Sequence, residues 1–124
     1  MQVLFIDDQP EIRCEAARSF FGGCELTHMM EIPGSFEGYD IISFDNDLGT
    51  DVDVVTEIHR RLWGQSDTKD AVQGQEFIDQ ISDKQIVIHS MNPIASLELY
   101  NKFKSAGINA SIVPFSIMLL GKKN

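Results

Sequence analysis

The segment "VLFIDDQP" (residues 3–10) joins a short apolar run directly to two adjacent carboxylates, Asp7 and Asp8. A second segment, "IISFDNDLG" (residues 41–49), repeats this arrangement of an apolar run followed by acids. Short, continuous runs rich in β-branched residues are typical of strands that are buried on both faces of a parallel sheet. The two segments therefore predict a parallel sheet that carries acidic side chains where its strands end.

The rest of the chain alternates strand-like and helix-like segments, which predicts a three-layer α/β/α sandwich around a five-stranded parallel sheet. The predicted strands are residues 2–6, 24–29, 41–44, 85–89 and 110–113. The predicted helices are residues 10–22, 51–63, 74–83 and 93–107. Gly107 is expected to end the last of these helices. The link over residues 30–40 is too short and too rich in glycine and proline for a crossover helix.

Composition favours a single folded domain over residues 1–124. Of these residues 43% are hydrophobic and 23% are charged, which is ordinary for a chain that buries one core. The polar stretch 64–73 is expected to be the most mobile part, because it has little apolar content. Cys14 and Cys24 have neither the spacing of a zinc site nor that of a disulfide framework, and we interpret them as reduced thiols.

The net charge of −9 opposes binding of long nucleic acids through a basic patch. The sequence contains no run of about 20 apolar residues that could span a bilayer, and no charged segment followed by an apolar signal region. We therefore expect no membrane partner and a cytoplasmic location.

Acidic residues follow two of the predicted strands, at the edge of the sheet where open parallel sheets bind ligands. The four candidate metal ligands are Asp7, Asp8, Asp45 and Asp47. Gathered carboxylates repel one another unless a cation or hydrogen bonds compensate, and hard oxygen ligands suit Mg²⁺, or Mn²⁺ in its place. The alternatives are that Asp8 only caps a helix and that residues 45–49 only form a turn.

Three polar residues at the end of the fourth predicted strand complete the candidate site. His89 ends the strand and titrates near neutrality in its ordinary state, which suits proton transfer. Ser90 and Asn92 follow it and could donate hydrogen bonds to a phosphate, next to the start of the helix at Pro93. The alternative for His89 is a hydrogen-bonded histidine of the core.

Four motifs resemble the cyclic-phosphate processing receiver family, a bacterial and phage derivative of response-regulator receivers: "LFIDDQPE", "SFDNDLG", "IVIHSMNPIAS" and "VPF". The resemblance implies a receiver-like, flavodoxin-like fold with a truncated last helix and an insertion at about residues 50–72. It places Asp45 at the phospho-acceptor position and Val113 where receivers carry a phosphate-contacting lysine. A cis Val113–Pro114 bond is also implied. Asn46 and Ala95 stand where the family often has histidine and glycine.

The first functional hypothesis is a metal-dependent phosphoesterase, since the resemblance implies action on RNA 2′,3′-cyclic phosphate ends or on cyclic nucleotides. His89 would transfer protons, Asp45 would bind metal or act as nucleophile, and Ser90 and Asn92 would hold the phosphate. The alternative is a non-catalytic pseudo-receiver that binds a protein partner or dimerises through the apolar tail "PFSIMLLG" (residues 114–121). That tail could equally pack within the chain. The resemblance implies a bacterial cell, or a host infected by a phage, as the setting.

Overall fold

Five strands and five helices make up the part of the chain that this computed structural model describes, residues 1–9, 11–46, 48 and 53–120. The strands are β1 (Gln2–Ile6), β2 (Glu25–Met29), β3 (Ile41–Phe44), β4 (Gln85–Ile88) and β5 (Ala110–Ile112). The helices are α1 (Glu11–Phe20), α2 (Val54–Leu62), α3 (Gln75–Ile81), α4 (Pro93–Ser105) and α5 (Phe115–Leu120). No helix lies between β2 and β3, as the short link predicts.

The five strands form one sheet in the order β2-β1-β3-β4-β5, and every neighbouring pair is parallel. This confirms the predicted five-stranded parallel α/β fold of the flavodoxin-like type. β2 lies on one side of β1, and the chain then crosses to the other side of β1 to form β3, so the strand order reverses between β1 and β3. The carboxyl ends of β1 and β3 are therefore the place where this kind of sheet binds ligands.

Strand alternation divides the core into two apolar layers, one on each face of the sheet. One layer joins the sheet to α2, α3 and α4, and its strand residues are Leu4, Ile6, Ile42, Phe44, Ile86 and Ile88. The other layer joins the sheet to α1 and α5, and its strand residues are Val3, Phe5, Ile41 and Val87. The three predicted layers are thus present, with a central sheet buried on both faces.

The helices begin and end within three residues of the predicted limits where the structure describes them, as frayed helix ends usually do. Gly107 has the predicted role, since it adopts a positive φ of 77° immediately after the cap residue of α4. The last helix is short: α5 has six residues, with Phe115 and Met118 buried in the layer of α1. Within the described residues, no helix has the length and apolar character needed to cross a membrane.

Two further expectations concern local structure. The Val113–Pro114 bond is trans, as are all peptide bonds among the described residues, so the cis bond implied by the resemblance is wrong. Trans is the favoured isomer for an X-Pro bond unless the surroundings select the other form.

The stretch 64–73 forms several hydrogen bonds with the rest of the protein, among them one from Val72 N–H to Gly34 O and one from Ser66 Oγ to Glu57. Its greater mobility stays a prediction. Residues 50–52, at the start of the predicted insertion, lie outside the described residues.

Candidate metal centre

The register of the sheet brings Asp7, Asp45 and His89 to the same edge. Phe5 pairs with Ser43, and Ser43 pairs with Val87, so the residues two positions further along each strand are also neighbours. Ladder hydrogen bonds continue to these residues, with Asp45 N–H donating to Ile6 O and His89 N–H donating to Phe44 O. The long-range pairing of three strands, rather than any local motif, therefore builds the floor of the site.

Asp7 and Asp8 approach the same site because the chain turns directly after Asp7. Successive strand residues face opposite sides of a sheet, so two adjacent acids share a site only where the strand has ended. β1 ends at Ile6, and the Asp7 carboxylate accepts a hydrogen bond of 2.7 Å from the Gln9 N–H, which closes a tight side-chain-to-backbone turn. The turn brings Asp8 to the Asp7 side of the sheet.

Three carboxylates form a group that could hold a metal ion. Asp7, Asp8 and Asp45 each offer an oxygen, and these oxygens lie within 4.8 Å of one another. Asp7 and Asp45 are buried, whereas Asp8 is partly exposed. A set made only of carboxylate oxygens suits a hard divalent cation. Of the four predicted ligands, the structure brings these three together, and Asp47 lies outside the described residues.

The buried Asp7 carboxylate is the most strongly held of the three acids. It accepts hydrogen bonds from Gln9 N–H at 2.7 Å, from His89 Nε2 at 2.9 Å and from Arg13 Nη1 at 3.1 Å. Burial by itself would raise the pKa of Asp7, but these donors stabilise the ionised form and bring the pKa below its usual value of 3.8. Asp7 is therefore an anion at neutral pH.

His89 lies beneath Asp7, where its ring is completely buried and stacks on Phe5 with 4.4 Å between ring centroids. Burial lowers the pKa of the imidazole from 6.5, and the hydrogen bond with Asp7 opposes this only in part. Because an ionised carboxylate only accepts, Nε2 carries the proton, and Ser43 Oγ donates to Nδ1 over 2.7 Å. His89 is thus a neutral, buried ring that orients Asp7.

The negative charge of Asp45 is compensated less fully than that of Asp7. Burial raises the pKa of its carboxyl to about 6, and the nearby negative charge of Asp7 adds to the effect. The Asn46 N–H, at 2.8 Å from Oδ1, and Arg13, at 3.5 Å from Oδ2, oppose the rise only partly. A cation placed beside Asp45 would stabilise its ionised form.

A cleft of about 260 Å³ opens beside Asp8 and Asp45. The residues that line it are Asp8, Gln9, Arg13, Asp45, Asn46, Ser90, Met91 and Asn92. Ser90 and Asn92 are where the sequence places them: Ser90 Oγ accepts from the Asn92 N–H, and Asn92 Oδ1 caps α4 by accepting from two backbone N–H groups. Their hydroxyl hydrogen and amide nitrogen are the groups that could donate to a ligand in the cleft.

Two larger clefts lie elsewhere on the described surface. One, of about 390 Å³, is mainly apolar and lies beside Trp63 and Lys102, and the other, of about 550 Å³, lies beside Pro33 and Thr68. Neither contains a member of the acidic group. The smaller cleft is the candidate site because it combines convergent charged side chains with a position at the strand-order reversal.

Among the site residues that the sequence did not predict, Ser43 and Arg13 contact predicted site residues through their side chains. Ser43 is a polar residue within the apolar run "IISF", and its place on the same face as Asp45 is the signal that could have identified it. Arg13 lies six residues after Asp7 on α1, and its contacts with Asp7 and Asp45 depend on how α1 packs against the sheet. No sequence pattern specifies that packing.

Comparison of the chain with known protein families, with curated proteins and with solved structures finds no match. The resemblance to cyclic-phosphate processing receivers therefore stays a prediction from the four motifs.

Proposed function

We propose that this protein is a Mg²⁺-dependent phosphoesterase that opens cyclic phosphates, with RNA 2′,3′-cyclic phosphate ends or cyclic nucleotides as substrates. The observation that carries the proposal is the convergence of Asp7, Asp8 and Asp45 within 4.8 Å at the strand-order reversal. The motif resemblance points to the same chemistry. Mn²⁺ could take the place of Mg²⁺, since both prefer oxygen ligands.

The charges of the site support a divalent cation. Three ionised carboxylates and the Arg13 guanidinium, which contacts two of them, leave a net charge of about −2 when counted by formal charges. A divalent cation would neutralise this surplus and would permit a phosphate anion to enter. When bound, such a cation withdraws electron density from phosphate oxygens and orients the reacting groups.

The proposed reaction is addition of water across one phosphorus–oxygen bond of a cyclic phosphate. The water oxygen forms a new bond to phosphorus, the bond to one ribose oxygen breaks, and that oxygen takes up a proton, so the product is a phosphomonoester. Asp45 is the candidate base or nucleophile, because its carboxylate lines the cleft. Ser90 and Asn92 would donate hydrogen bonds to the non-bridging oxygens.

His89 remains a candidate catalytic residue, but its geometry favours positioning. Its Nε2 donates to Asp7 and its ring has no exposed surface. Residues that orient metal ligands typically change metal affinity by about 10-fold to 100-fold when they are removed. We therefore propose that His89 acts mainly by holding Asp7 in the orientation that binds the cation.

The size of the cleft favours a compact phosphate. A volume of about 260 Å³ accommodates a metal ion, several waters and a phosphate group, rather than an extended polynucleotide. The net charge of −9 also opposes binding to a long nucleic-acid backbone. An RNA substrate would be engaged at its terminal nucleotide.

The test is a turnover assay with 2′,3′-cyclic nucleotides and cyclic-ended oligonucleotides, followed by chromatography of the phosphomonoester product. We expect turnover that requires Mg²⁺ or Mn²⁺, is lost on addition of EDTA and is abolished by Asp45→Ala. For His89, we expect His89→Gln, which retains a side-chain donor, to keep more activity than His89→Ala.

Asp79→Asn is the matched control, because it removes one exposed carboxylate that is not among the cleft-lining residues. Turnover by this control but not by Asp45→Ala would support the proposal. Divalent cation binding without any release of phosphomonoester from these substrates would contradict it.

A non-catalytic pseudo-receiver that binds a protein partner is the second candidate. The observation that favours it is the apolar surface of α5, where Ile117, Leu119 and Leu120 are 48%, 42% and 62% exposed. Val113, in place of a lysine, fits the same interpretation. Under this proposal the protein binds a divalent cation but turns over no cyclic phosphate, so the same assay separates the two functions.

A further inference from the structure

Arg13 lies in the acidic cleft and contacts the same carboxylates that would bind a metal. Its Nη1 is 3.1 Å from Asp7 Oδ2 and 3.5 Å from Asp45 Oδ2. The other oxygen of each carboxylate, Oδ1, accepts a hydrogen bond from a backbone N–H group. The donor to Asp7 is Gln9, and the donor to Asp45 is Asn46. Arg13 therefore contacts the Oδ2 atoms, which are the oxygens not held by the backbone.

A divalent cation bound at Asp7 and Asp45 would compete with the guanidinium for these contacts. Metal binding requires close approach to Asp7 and Asp45, at about 2.0–2.6 Å from the ligating oxygens. A guanidinium within hydrogen-bond distance of those oxygens would face the metal as a like charge across a short distance. Metal binding should therefore displace Arg13 from at least one of the two carboxylates.

The surroundings of Arg13 favour a displaced position in the cleft. The guanidinium lies over the Phe115 ring, with its central carbon 4.6 Å from the ring centroid, and the side chain is 23% exposed. Stacking on an aromatic ring supports a guanidinium without using its N–H donors. Phe115 thus provides a platform on which Arg13 can turn from the carboxylates towards the cleft.

Arg13 is also the single cationic side chain among the described residues that line this cleft. Three carboxylates repel an entering anion, and uncharged hydrogen-bond donors alone do not offset this repulsion. The planar guanidinium offers paired N–H donors that match two phosphate oxygens. Its chemistry and its position therefore suit a phosphoryl group.

We propose that Arg13 is a phosphate-binding residue that metal binding releases. In the metal-free protein Arg13 occupies the acidic site as a counter-ion; in the metal-bound protein it contacts the phosphoryl group of the ligand. The inference rests on the proposed function and adds to it a coupling between the two ligands. Removal of Arg13 should consequently strengthen metal binding and weaken phosphate binding.

The experiment is isothermal titration calorimetry on the full chain, first with Mg²⁺ alone and then with inorganic phosphate in the presence of saturating Mg²⁺. In Arg13→Gln we expect the Kd for Mg²⁺ to fall at least fivefold and the Kd for phosphate to rise at least tenfold. In Arg13→Lys, which keeps the charge, both constants should lie between those of the wild type and of Arg13→Gln. Arg18→Gln is the matched control, because Arg18 is an exposed residue of the same helix, and both constants should stay within twofold of the wild type.

Opposite changes in the two affinities separate this role from a purely structural one. Unchanged phosphate affinity in Arg13→Gln, or weaker Mg²⁺ binding, would overturn the inference. If Arg13→Gln does not fold, Phe115→Leu removes the platform and keeps the charge; weaker phosphate binding with Mg²⁺ binding retained would support the inference, and unchanged phosphate binding would refute it.

The same proteins distinguish this inference from the proposed function. If the affinities change as expected but no cyclic phosphate is turned over, the proposed enzyme activity fails and the role of Arg13 stands. If cyclic phosphate is turned over equally by the wild type and Arg13→Gln, the role of Arg13 fails alone. If neither the wild type nor Arg13→Gln binds Mg²⁺, the proposed function and the role of Arg13 are both overturned.

Discussion

At Asp45, burial and a neighbouring carboxylate oppose ionisation in the metal-free protein. Asp45 is 6% exposed, and the pKa of its carboxyl, about 6, lies above the ordinary value of 3.8. Between pH 3.8 and about pH 6, the Asp45 carboxyl keeps its proton in the folded protein but has lost it in the unfolded chain. Stability therefore falls as the pH rises through this window, and the loss is complete above the folded-state pKa.

Asp45→Asn should stabilise the metal-free protein at pH 7, because an amide fits the same space without the buried charge. Two pKa units correspond to about 3 kcal/mol at 1.36 kcal/mol per unit, which is the upper limit of the expected gain in unfolding free energy. The gain should shrink towards pH 4, where Asp45 is protonated in the folded wild type. Urea denaturation in EDTA at pH 4, 5, 6 and 7 measures it.

The control for this series is Asp79→Asn, which removes an exposed carboxylate from α3 and should leave the pH dependence of the wild type unchanged. A destabilised Asp45→Asn protein at pH 7 would show that the Asp45 charge is well compensated in the metal-free state.

At the scale of elements, α2 is joined to two loops by a buried ion pair. Arg61 is fully buried, its Nε donates to Glu57 at 2.8 Å, and its Nη1 donates to Pro33 O at 2.5 Å. Glu57 also accepts from Ser66 Oγ at 2.6 Å and from Thr68 Oγ1 at 3.2 Å. The Glu57–Arg61 pair thus connects α2 with the link before β3, through Arg61, and with the polar stretch before α3, through Glu57.

Glu57→Gln should destabilise the protein by about 3 kcal/mol, because it leaves the buried Arg61 guanidinium without a counter-ion. Burial by itself would raise the pKa of Glu57, but the hydrogen bonds that it accepts outweigh this, and the pKa lies below its ordinary value of 4.5. The stabilisation is therefore present above about this value and is lost as the pH falls through the lowered pKa. Urea denaturation at pH 7 measures the effect.

Hydrogen exchange on the same variant tests whether the loop depends on this pair. Amides of residues 64–73 should lose protection in Glu57→Gln but not in the control Glu76→Gln, whose side chain is exposed on α3. Equal unfolding free energies for the two variants would mean that the buried pair contributes little to stability.

At the scale of the whole molecule, the acidic cluster links cation binding to folding. A ligand that binds only the folded chain stabilises it by RT ln(1 + [L]/Kd). The cluster assembles Asp7, directly after β1, and Asp45, directly after β3, which are 38 positions apart in sequence, so the unfolded chain lacks the site.

Mg²⁺ should therefore raise the melting temperature in a concentration-dependent way. At 100 times Kd the gain is about 2.7 kcal/mol, which for a chain of this size corresponds to a rise of about 10 °C. Differential scanning calorimetry with MgCl₂, and with NaCl at the same ionic strength, measures the specific part. Equal melting temperatures in the two salts would contradict cation binding at this site, whereas Asp79→Asn should keep the full difference.

Local sequence patterns were sufficient to predict most of the architecture. Apolar residues occupy both faces of the runs at 2–6 and 41–44, which is typical of strands that are buried on both sides. Gly107 marks the end of α4 through its positive φ. Asp7 and Asp45 were predictable as candidate site residues because strand ends in parallel sheets share one edge. The strands, their ends and the end of α4 depend on residues that are neighbours in sequence, so a local sequence pattern predicts them.

Distances across the fold were decided only by the tertiary structure. The sequence placed His89 at a strand end, but the packing of its ring on Phe5 and the bond to Asp7 determine that it is buried and neutral. Arg13 reaches Asp45 because α1 packs on one face of the sheet, and the raised pKa of Asp45 follows from its burial beside Asp7. Burial and electrostatic interactions depend on atoms that are distant in sequence, so the local periodicity of the sequence does not predict them.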